Sequence, residues 1–592
     1  MKLVIVGGVA GGMSAAARAR RLNESAEIIV LEKGPYVSFA NCGLPYHLAG
    51  EIERRDALLL HTPETLRAQL NLDVRVNSEA TSIDPVSRTV TVSGPDGEYR
   101  LPYDALLLAP GASPMVPPIA GADHEFVYQL YTIPQLDEIM ARVGGLLGER
   151  GGTGASNGGR ADVVVGAERD ATRGGKARRA VVVGAGFIGL EAVEALVHRG
   201  LEVTLVEFAP QVLPPLDAEL APLIQQELER NGVDVRVATA VQSVADGAGG
   251  RGVTVGLSDG TFVEADLVLL STGVAPRSEL ARDAGLALGV RGSIVVDSLM
   301  RTSYPHIWAV GDAVQLRQSV DGVDVLGPVP LAAPANRHGR LAADAIMGGL
   351  ESDDPRPPKV QGTSIVRVFG QVAAVTGASR RTLQREGVDA VTVHVHPNQH
   401  AGYYPGATQV HIVASFAKDG RLLGSQAVGA DGVDKRIDVL STAIRGGLTA
   451  DDLADLDLTY SPPFGAAKDP VNMLGFTAQN ILSGTMPVWY AEDLEEARES
   501  GLILDVRSAS EFAGGHVEGA LNVPHTELRE RIDEVRDAAE GRAVFVHCAS
   551  GVRSYLATRI LLGHGLDARN LSGGALTLQQ LVEDWAAVPV AQ

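Results

Sequence analysis

Two cysteines, Cys42 and Cys548, are the only thiols in the 592 residues, and each stands where a thiol can do chemistry. Cys42 lies in "SFANCGLPY", and "CGLPYHLAG" reads as the start of a helix. The thiolate is the nucleophilic form of cysteine, and a helix N-terminus lowers its pKa from about 8.5 to roughly 3.5–7.5. The expectation is a Cys42 thiolate at neutral pH; the competing reading is a small buried hydrophobe. Cys548 lies in "AVFVHCASGVRSYLATRILLGHG", a strand, a short loop and a helix whose N-terminus faces the sulfur. Backbone N–H groups and the helix dipole favour an anionic sulfur there. The spacing of the two cysteines defines neither a disulfide framework nor a zinc site. A single thiol closes no internal disulfide, so oxidised Cys42 would be a mixed disulfide, a persulfide or a sulfenic acid.

The elements that must position Cys42 begin at residue 2. "LVIVGGVAGGMSAAARARRL" reads as a strand, a glycine turn and a helix, and "EIIVLEK" as a second strand ending at Glu32 and Lys33. This is the dinucleotide-binding fingerprint: the backbone approaches a pyrophosphate at the helix N-terminus, and the acid bonds a ribose hydroxyl. Gly7, Gly8, Ala10, Gly11 and Gly12 form the turn, but Val9 replaces the central glycine of G-x-G-x-x-G. Taken alone, this imperfect match also fits a chance glycine turn. The same grammar returns at 180–207 with Gly184, Gly186, Gly189 and Glu207. Two fingerprints predict two dinucleotides, and the acid at Glu207, by repelling a 2′-phosphate, selects NADH, with NADPH the alternative.

A chain of this length is too long for one core and predicts about four domains. With 51 Lys plus Arg against 72 Asp plus Glu, the net charge is −21, which opposes binding to nucleic acid or to an anionic membrane. No run of about 18 apolar residues suggests a membrane span. The first residues, "MKLVIVGGVAGG", read as a strand rather than a secretory signal, so the expected location is cytoplasmic.

"LVLLSTGVAPRSEL" and "IWAVGDAV" follow the second fingerprint, and this order resembles flavoprotein disulfide reductases. The resemblance implies that Gly311 and Asp312 hold the ribityl side of FAD. It also implies an α/β fold of two Rossmann-like domains, the NADH domain (177–249) inserted in the FAD domain (1–147 and 250–325). An α+β dimerisation domain (326–485) would follow. Residues 148–176 read as a glycine-rich surface insertion in which "ADVVVGA" forms at most a short strand, with no catalytic assignment.

"GGVAGG", "SFANCGLPY", "HAGYYPGA", "GADGVDKRID" and "YSPPFGAAKDPVN" together resemble coenzyme A disulfide reductases, particularly the fused form described as NADH-dependent persulfide or polysulfide reductases. Two-cysteine relatives use C-x4-C; here Val37 stands five residues before Cys42. The resemblance implies a homodimer with coenzyme A along the first helix: Ser14, Arg18 and Arg21 towards its nucleotide, Ser38 and Asn41 nearer the thiol. It aligns Asn336 and Lys468 with substrate-side positions of the partner subunit. Tyr460 and one of Tyr403 and Tyr404 match phenols donated across the dimer, able to give a hydrogen bond or proton to a leaving sulfur. By spacing alone, the arginines also fit a solvated helix face and the tyrosines ordinary packing. Related peroxidases and NADH oxidases carry a histidine where this chain has Ala10, which disfavours oxidase or peroxidase chemistry through a Cys42 sulfenic acid.

Residues 488–592 resemble a rhodanese domain, with "HCASGVRS" as its active loop. The resemblance implies a Cys548 persulfide, with Arg553 orienting an anionic sulfur donor and Asp505 and Arg507 bracing the domain. The expected function is NADH- and FAD-dependent reduction of CoA disulfide, CoA persulfide or polysulfide at Cys42, with sulfane sulfur carried by Cys548. A flavoprotein whose redox state controls partner binding is the non-enzymatic alternative.

Overall fold

The computed structural model describes residues 1–147, 178–247, 252–582 and 585–586. The insertion read at 148–176 lies outside them. The chain divides into two units, Met1–Pro210 with Leu228–Arg317 and Leu326–Pro358, and Gln211–Glu227 with Gln318–Val325 and Lys359–Gln592.

The first unit is α/β and contains two parallel sheets of five strands. One runs in the order Ile307–Ala309, Ala105–Leu108, Lys2–Val6, Glu27–Leu31, Asp73–Arg75. The other runs Asp234–Arg236, Glu202–Val206, Arg179–Val183, Leu267–Leu270, Val127–Gln129. Parallel strands covered on both faces read as unbroken apolar runs, as in Ala105–Leu108 and Leu267–Leu270, buried at every position. Two three-stranded antiparallel sheets, Glu79–Pro102 and Val241–Ala265, accompany them.

The boundaries drawn at 147 and 250 do not coincide with the sheets. Val127–Gln129 and Leu267–Leu270 both pair into the second sheet. An all-apolar strand carries no mark of which sheet it joins, so register against a neighbour decides it. The boundary at 326 shifts likewise. The helix Ala332–Ile346 belongs to the first unit and packs on the helix Ala10–Leu22, where a Cβ on Gly339 would lie 2.2 Å from the Gly11 carbonyl oxygen.

In the second unit, an antiparallel sheet runs Ser364–Val368, Gln371–Gly377, Leu422–Gly429, Val410–Ala417, Ala390–Val395. Ile412, Phe416, Leu440 and Leu474 lie in the core it forms with the helices Val433–Gly446 and Pro470–Leu482. A parallel sheet follows in the order Val488–Trp489, Ala568–Leu571, Ala543–His547, Gly501–Asp505, Leu521–Asn522. These are the α+β and rhodanese-like α/β parts that the sequence predicts. Among the described residues, no helix is long and apolar enough to cross a membrane.

The Gly339 contact tests the helix pair. Gly339→Ala is expected to lower stability by about 1–3 kcal/mol through overpacking, read as a fall in the urea midpoint. Gly145→Ala, in the helix Ile133–Leu147, where among the described residues nothing beyond the helix's own backbone lies within 4 Å of an added Cβ, is expected to raise it by about 0.5–1 kcal/mol.

Candidate active sites

Both glycine turns are built by the same backbone contacts. Gly7 has φ +104°, and a Cβ on it would lie 2.0 Å from the Ala109 carbonyl oxygen; Gly184 has φ +101° and would meet the Ser271 oxygen at 2.5 Å. A Cβ on Gly12 would fall 2.0 Å from the Gly7 oxygen, and one on Gly189 would fall 1.9 Å from the Gly184 oxygen. The central position differs: a Cβ on Gly186 meets nothing within 4 Å. The demand for glycine there comes from a ligand's approach and not from packing, so Val9 departs from the pattern where the fold itself tolerates a side chain.

The acids ending the second strands are held alike. The Gly8 and Gly34 N–H groups each donate to Glu32 at 2.8 Å, and the Ala185 and Ala209 N–H groups donate to Glu207 at 2.6 and 2.7 Å. Lys33 beside Glu32 is exposed. Neither Val9 nor Gly186, the N-caps of the helices Ala10–Leu22 and Phe187–His198, makes a side-chain cap, so the first-turn N–H groups of Ala10, Gly11 and their counterparts remain for a pyrophosphate. The two turns therefore fit dinucleotides. Gly311 and Asp312 form a turn, Gly311–Ala313, after the strand Ile307–Ala309, and burial pushes the Asp312 carboxyl up to about 6.

Cys42 is tied to the first turn. The Ser38 N–H donates to the Gly8 carbonyl at 2.7 Å, and Ser38 has φ +50°, a conformation that costs a non-glycine residue about 1–2 kcal/mol. From there the chain forms a 3-10 turn, Asn41–Gly43, and the helix Leu44–Ala49, with Cys42 exposed. The expected lowering of its pKa is not found. Partial desolvation, then the negative charges of Glu191 and Asp312, push the thiol up, against a smaller opposing backbone hydrogen bond. The helix after Cys42 has only six residues, and desolvation together with the two carboxylates sets the direction. Glu191, on the helix Phe187–His198, accepts the Tyr46 hydroxyl at 2.9 Å, and Arg199 Nε donates to the Leu48 carbonyl at 2.6 Å. The sequence reading missed Glu191 because only helix packing brings it to Cys42.

Ser14 and Asn336 are hydrogen-bonded at 2.5 Å within one chain. Arg18 pairs with Asp344 at 2.6 Å, while Arg21 is exposed. Arg20 is buried between them in sequence and donates to the carbonyls of Leu70, Asn23, Glu24, Ala26 and Asn71. Of the two arginines expected to grip phosphates, only Arg21 lacks a carboxylate partner among the described residues. In the second unit Lys468 is exposed. Tyr403 and Tyr460 are exposed with hydroxyls 3.2 Å apart, and Tyr404 packs edge-on to His400.

Cys548 is buried at the end of the strand Ala543–His547 and accepts a hydrogen bond from the Ser554 hydroxyl at 3.3 Å. Arg553 is clamped by Glu511 through two bonds of 2.7 and 2.8 Å. This pairing, with help from Ser508, holds the Glu511 carboxyl down at about 2. Arg507 grips Asp505 at 2.6 Å and the Gly515 carbonyl at 2.7 Å, bracing the domain as expected. Glu511 and Ser554 were not foreseen; the capping pattern S-x-x-E at 508–511 was the available signal for Glu511.

Residues 1–339 match the family model described as pyridine nucleotide-disulphide oxidoreductase, 364–470 its dimerisation domain, and 487–579 the rhodanese-like domain. The chain is 32% identical to a coenzyme A disulfide reductase of Staphylococcus haemolyticus over 81% of its length and all of the relative's. It is 31% identical to an NADH oxidase of Methanocaldococcus jannaschii over 82% of its length, again spanning the whole relative. Among solved structures, reduced Bacillus anthracis CoADR-RHD superposes with TM-score 0.90 at 40% identity, covering 99% of both chains. An NAD-dependent persulfide reductase from A. fulgidus gives 0.85 at 36% identity, covering 98% of this chain and all of the other.

The carboxylates beside Cys42 make its reactivity testable. With Cys548→Ser leaving Cys42 the sole thiol, iodoacetamide alkylation is expected to rise with pH around a midpoint above that of an ordinary cysteine. Glu191→Gln, by removing one negative charge, is expected to lower that midpoint and speed alkylation several-fold at pH 7.5.

Proposed function

The chain belongs to the pyridine nucleotide-disulphide oxidoreductase family, and from that premise we propose that it reduces CoA disulfide and CoA persulfide at Cys42 with electrons from NADH, and handles sulfane sulfur on Cys548. The observation that carries the reading is the Ser38–Gly8 hydrogen bond, which ties a single accessible thiol to a turn shaped for a dinucleotide. The rhodanese-like loop around Cys548 supports the sulfur half. Polysulfide as a donor, a homodimer built on the dimerisation domain and a cytoplasmic location belong to the same proposal. The domain limits proposed are an FAD-binding part reaching to residue 358, an inserted NADH-binding part that includes Leu267–Leu270, a dimerisation domain from 359 and a rhodanese-like domain from 487.

FAD would rest on the first turn, with Glu32 towards its ribose and Gly311 and Asp312 beside its ribityl chain; NADH would rest on the second, with Glu207. Bound together, they supply the two electrons that return oxidised Cys42 to the thiol. The chain's own part is sulfur chemistry. The Cys42 thiolate attacks one sulfur of CoA–S–S–CoA, forming Cys42–S–S–CoA and releasing CoA thiolate. With CoA–S–SH, attack on the sulfur bonded to CoA releases hydrosulfide and leaves the same mixed disulfide. Two electrons and a proton then yield the Cys42 thiolate and free CoA thiol. Tyr460 and one of Tyr403 and Tyr404, donated by the partner subunit, would hydrogen-bond the leaving sulfur, and Arg21 would meet the CoA phosphates.

A second reading, NADH oxidation by oxygen through a Cys42 sulfenic acid, is favoured by the methanogen relative. Ala10, at the place of the oxidases' histidine, argues for the first.

Anaerobic NADH oxidation by the purified protein separates these readings. Turnover with CoA disulfide and CoA persulfide, the latter with stoichiometric hydrosulfide, is the expected outcome; NADH consumption that requires oxygen would sink the proposal. Cys42→Ser is expected to lower both reductions at least 1000-fold with flavin retained. Cys548→Ser is expected to spare CoA disulfide reduction and abolish sulfur transfer from thiosulfate or polysulfide.

A further inference from the structure

The loop carrying Cys548 rests on a strap formed by residues 572–577. The Ala575 N–H donates to the Cys548 carbonyl at 2.8 Å and the Leu576 N–H to the Ala549 carbonyl at 2.9 Å. The approach is close: a Cβ on Gly574 would lie 2.7 Å from both the Cys548 oxygen and the Gly551 nitrogen. The other side of the strap meets two histidines, one in and one just beyond the edge strand of the antiparallel sheet. His394, in the edge strand Ala390–Val395, places Nδ1 2.8 Å from Ser572 Oγ and Nε2 2.8 Å from Glu219 Oε1. His396 places Nε2 3.0 Å from Thr577 Oγ1 and Nδ1 2.8 Å from His411 Nδ1. Gly573 is wedged between the two rings, with a would-be Cβ 2.8 Å from His394 Cβ and 3.0 Å from His396 Nε2.

The histidines are themselves anchored. The His394 and Glu219 side chains are each 2% exposed, and Glu219 also accepts from Arg380 at 2.9 Å. Arg380 reaches Glu492 at 2.6 Å, just after the strand Val488–Trp489, and the Tyr490 hydroxyl donates to the Thr392 carbonyl at 3.0 Å. A buried polar network satisfied in this way rigidifies what it touches, because each bond lost leaves a group desolvated without a partner.

We propose that His394 and His396 are positioning residues for the Cys548 loop: through Ser572 and Thr577 they hold the strap on which the loop's backbone rests, so the antiparallel domain sets the geometry of the sulfurtransferase site. The inference rests on the reading of Cys548 as the sulfur-carrying thiol. It makes the fusion a structural requirement of the second site as well as a means of bringing two activities together.

The test uses the full-length holoenzyme carrying Cys42→Ser, in which Cys548 is the only thiol. Thr577→Val, nearly isosteric, is expected to speed iodoacetamide alkylation of buried Cys548 by about tenfold, the effect of one lost buried hydrogen bond, and Thr577→Ser is expected to restore the parent rate. Ser572→Ala and His396→Ala should act in the same direction. The double variant His396→Ala/Thr577→Val should be no faster than its singles, since both remove one bond. With Cys42 intact, thiosulfate-to-cyanide sulfur transfer in Thr577→Val is expected to lose about tenfold in kcat with KM unchanged, while NADH-driven CoA disulfide reduction stays at the parent rate. Parent alkylation rates in both Thr577→Val and Ser572→Ala would overturn the inference, as would an unrestored rate in Thr577→Ser. If the unmutated chain transfers no sulfur, the functional reading of Cys548 fails, and the alkylation rates still decide the clamp.

Discussion

Backbone on backbone is the contact that organises the first unit. Gly7 and Gly184 each bring an α-carbon against a neighbouring carbonyl so closely that a methyl group has no room. That approach frees the helix N-termini to face a ligand, and the same peptide run then anchors the rest. Gly8 gives its N–H to Glu32 and its carbonyl to Ser38, four residues before Cys42. The thiol is therefore positioned by a short chain of main-chain bonds, with the strain stored at Ser38.

Charge works locally in this protein. A chain carrying −21 does not draw an anion by its overall field; the uncapped N-termini of the helices Ala10–Leu22 and Phe187–His198 and the exposed Arg21 are local positive features against that background. The two sulfurs live in opposite surroundings. Cys42 is exposed, yet partial desolvation, then the charges of Glu191 and Asp312, favour its protonated thiol. Cys548 is buried, yet it receives a hydrogen bond from Ser554 with Arg553 close by, and Glu511 balances that arginine's charge.

The second unit combines apolar cores with a buried polar network. Two hydrogen-bonded runs, Arg380–Glu219–His394–Ser572 and His411–His396–Thr577, end on the strap beneath Cys548. Histidine suits this role, since one ring bridges two partners on opposite edges.

What could be read from the residues alone was whatever lies close in sequence. The glycine turns, the acids that close the second strands, the isolated thiol in "SFANCGLPY" and the strand-loop-helix around Cys548 are each confined to a few tens of residues, and local sterics and dipoles dictate their form. The strand-turn-helix-strand units follow from the same local patterns, whereas the order of domains is what the resemblance carried by the motifs implies. Sheet membership of Leu267–Leu270, the capture of Arg18 by Asp344, the Ser14–Asn336 bond, the pressure of Glu191 on Cys42 and the histidine grip on the strap were decided only in three dimensions. Each of these joins residues far apart in the chain, where side-chain type says that a group can pair but not with which partner; burial and register choose the partner, and with it the charge that a reactive sulfur experiences.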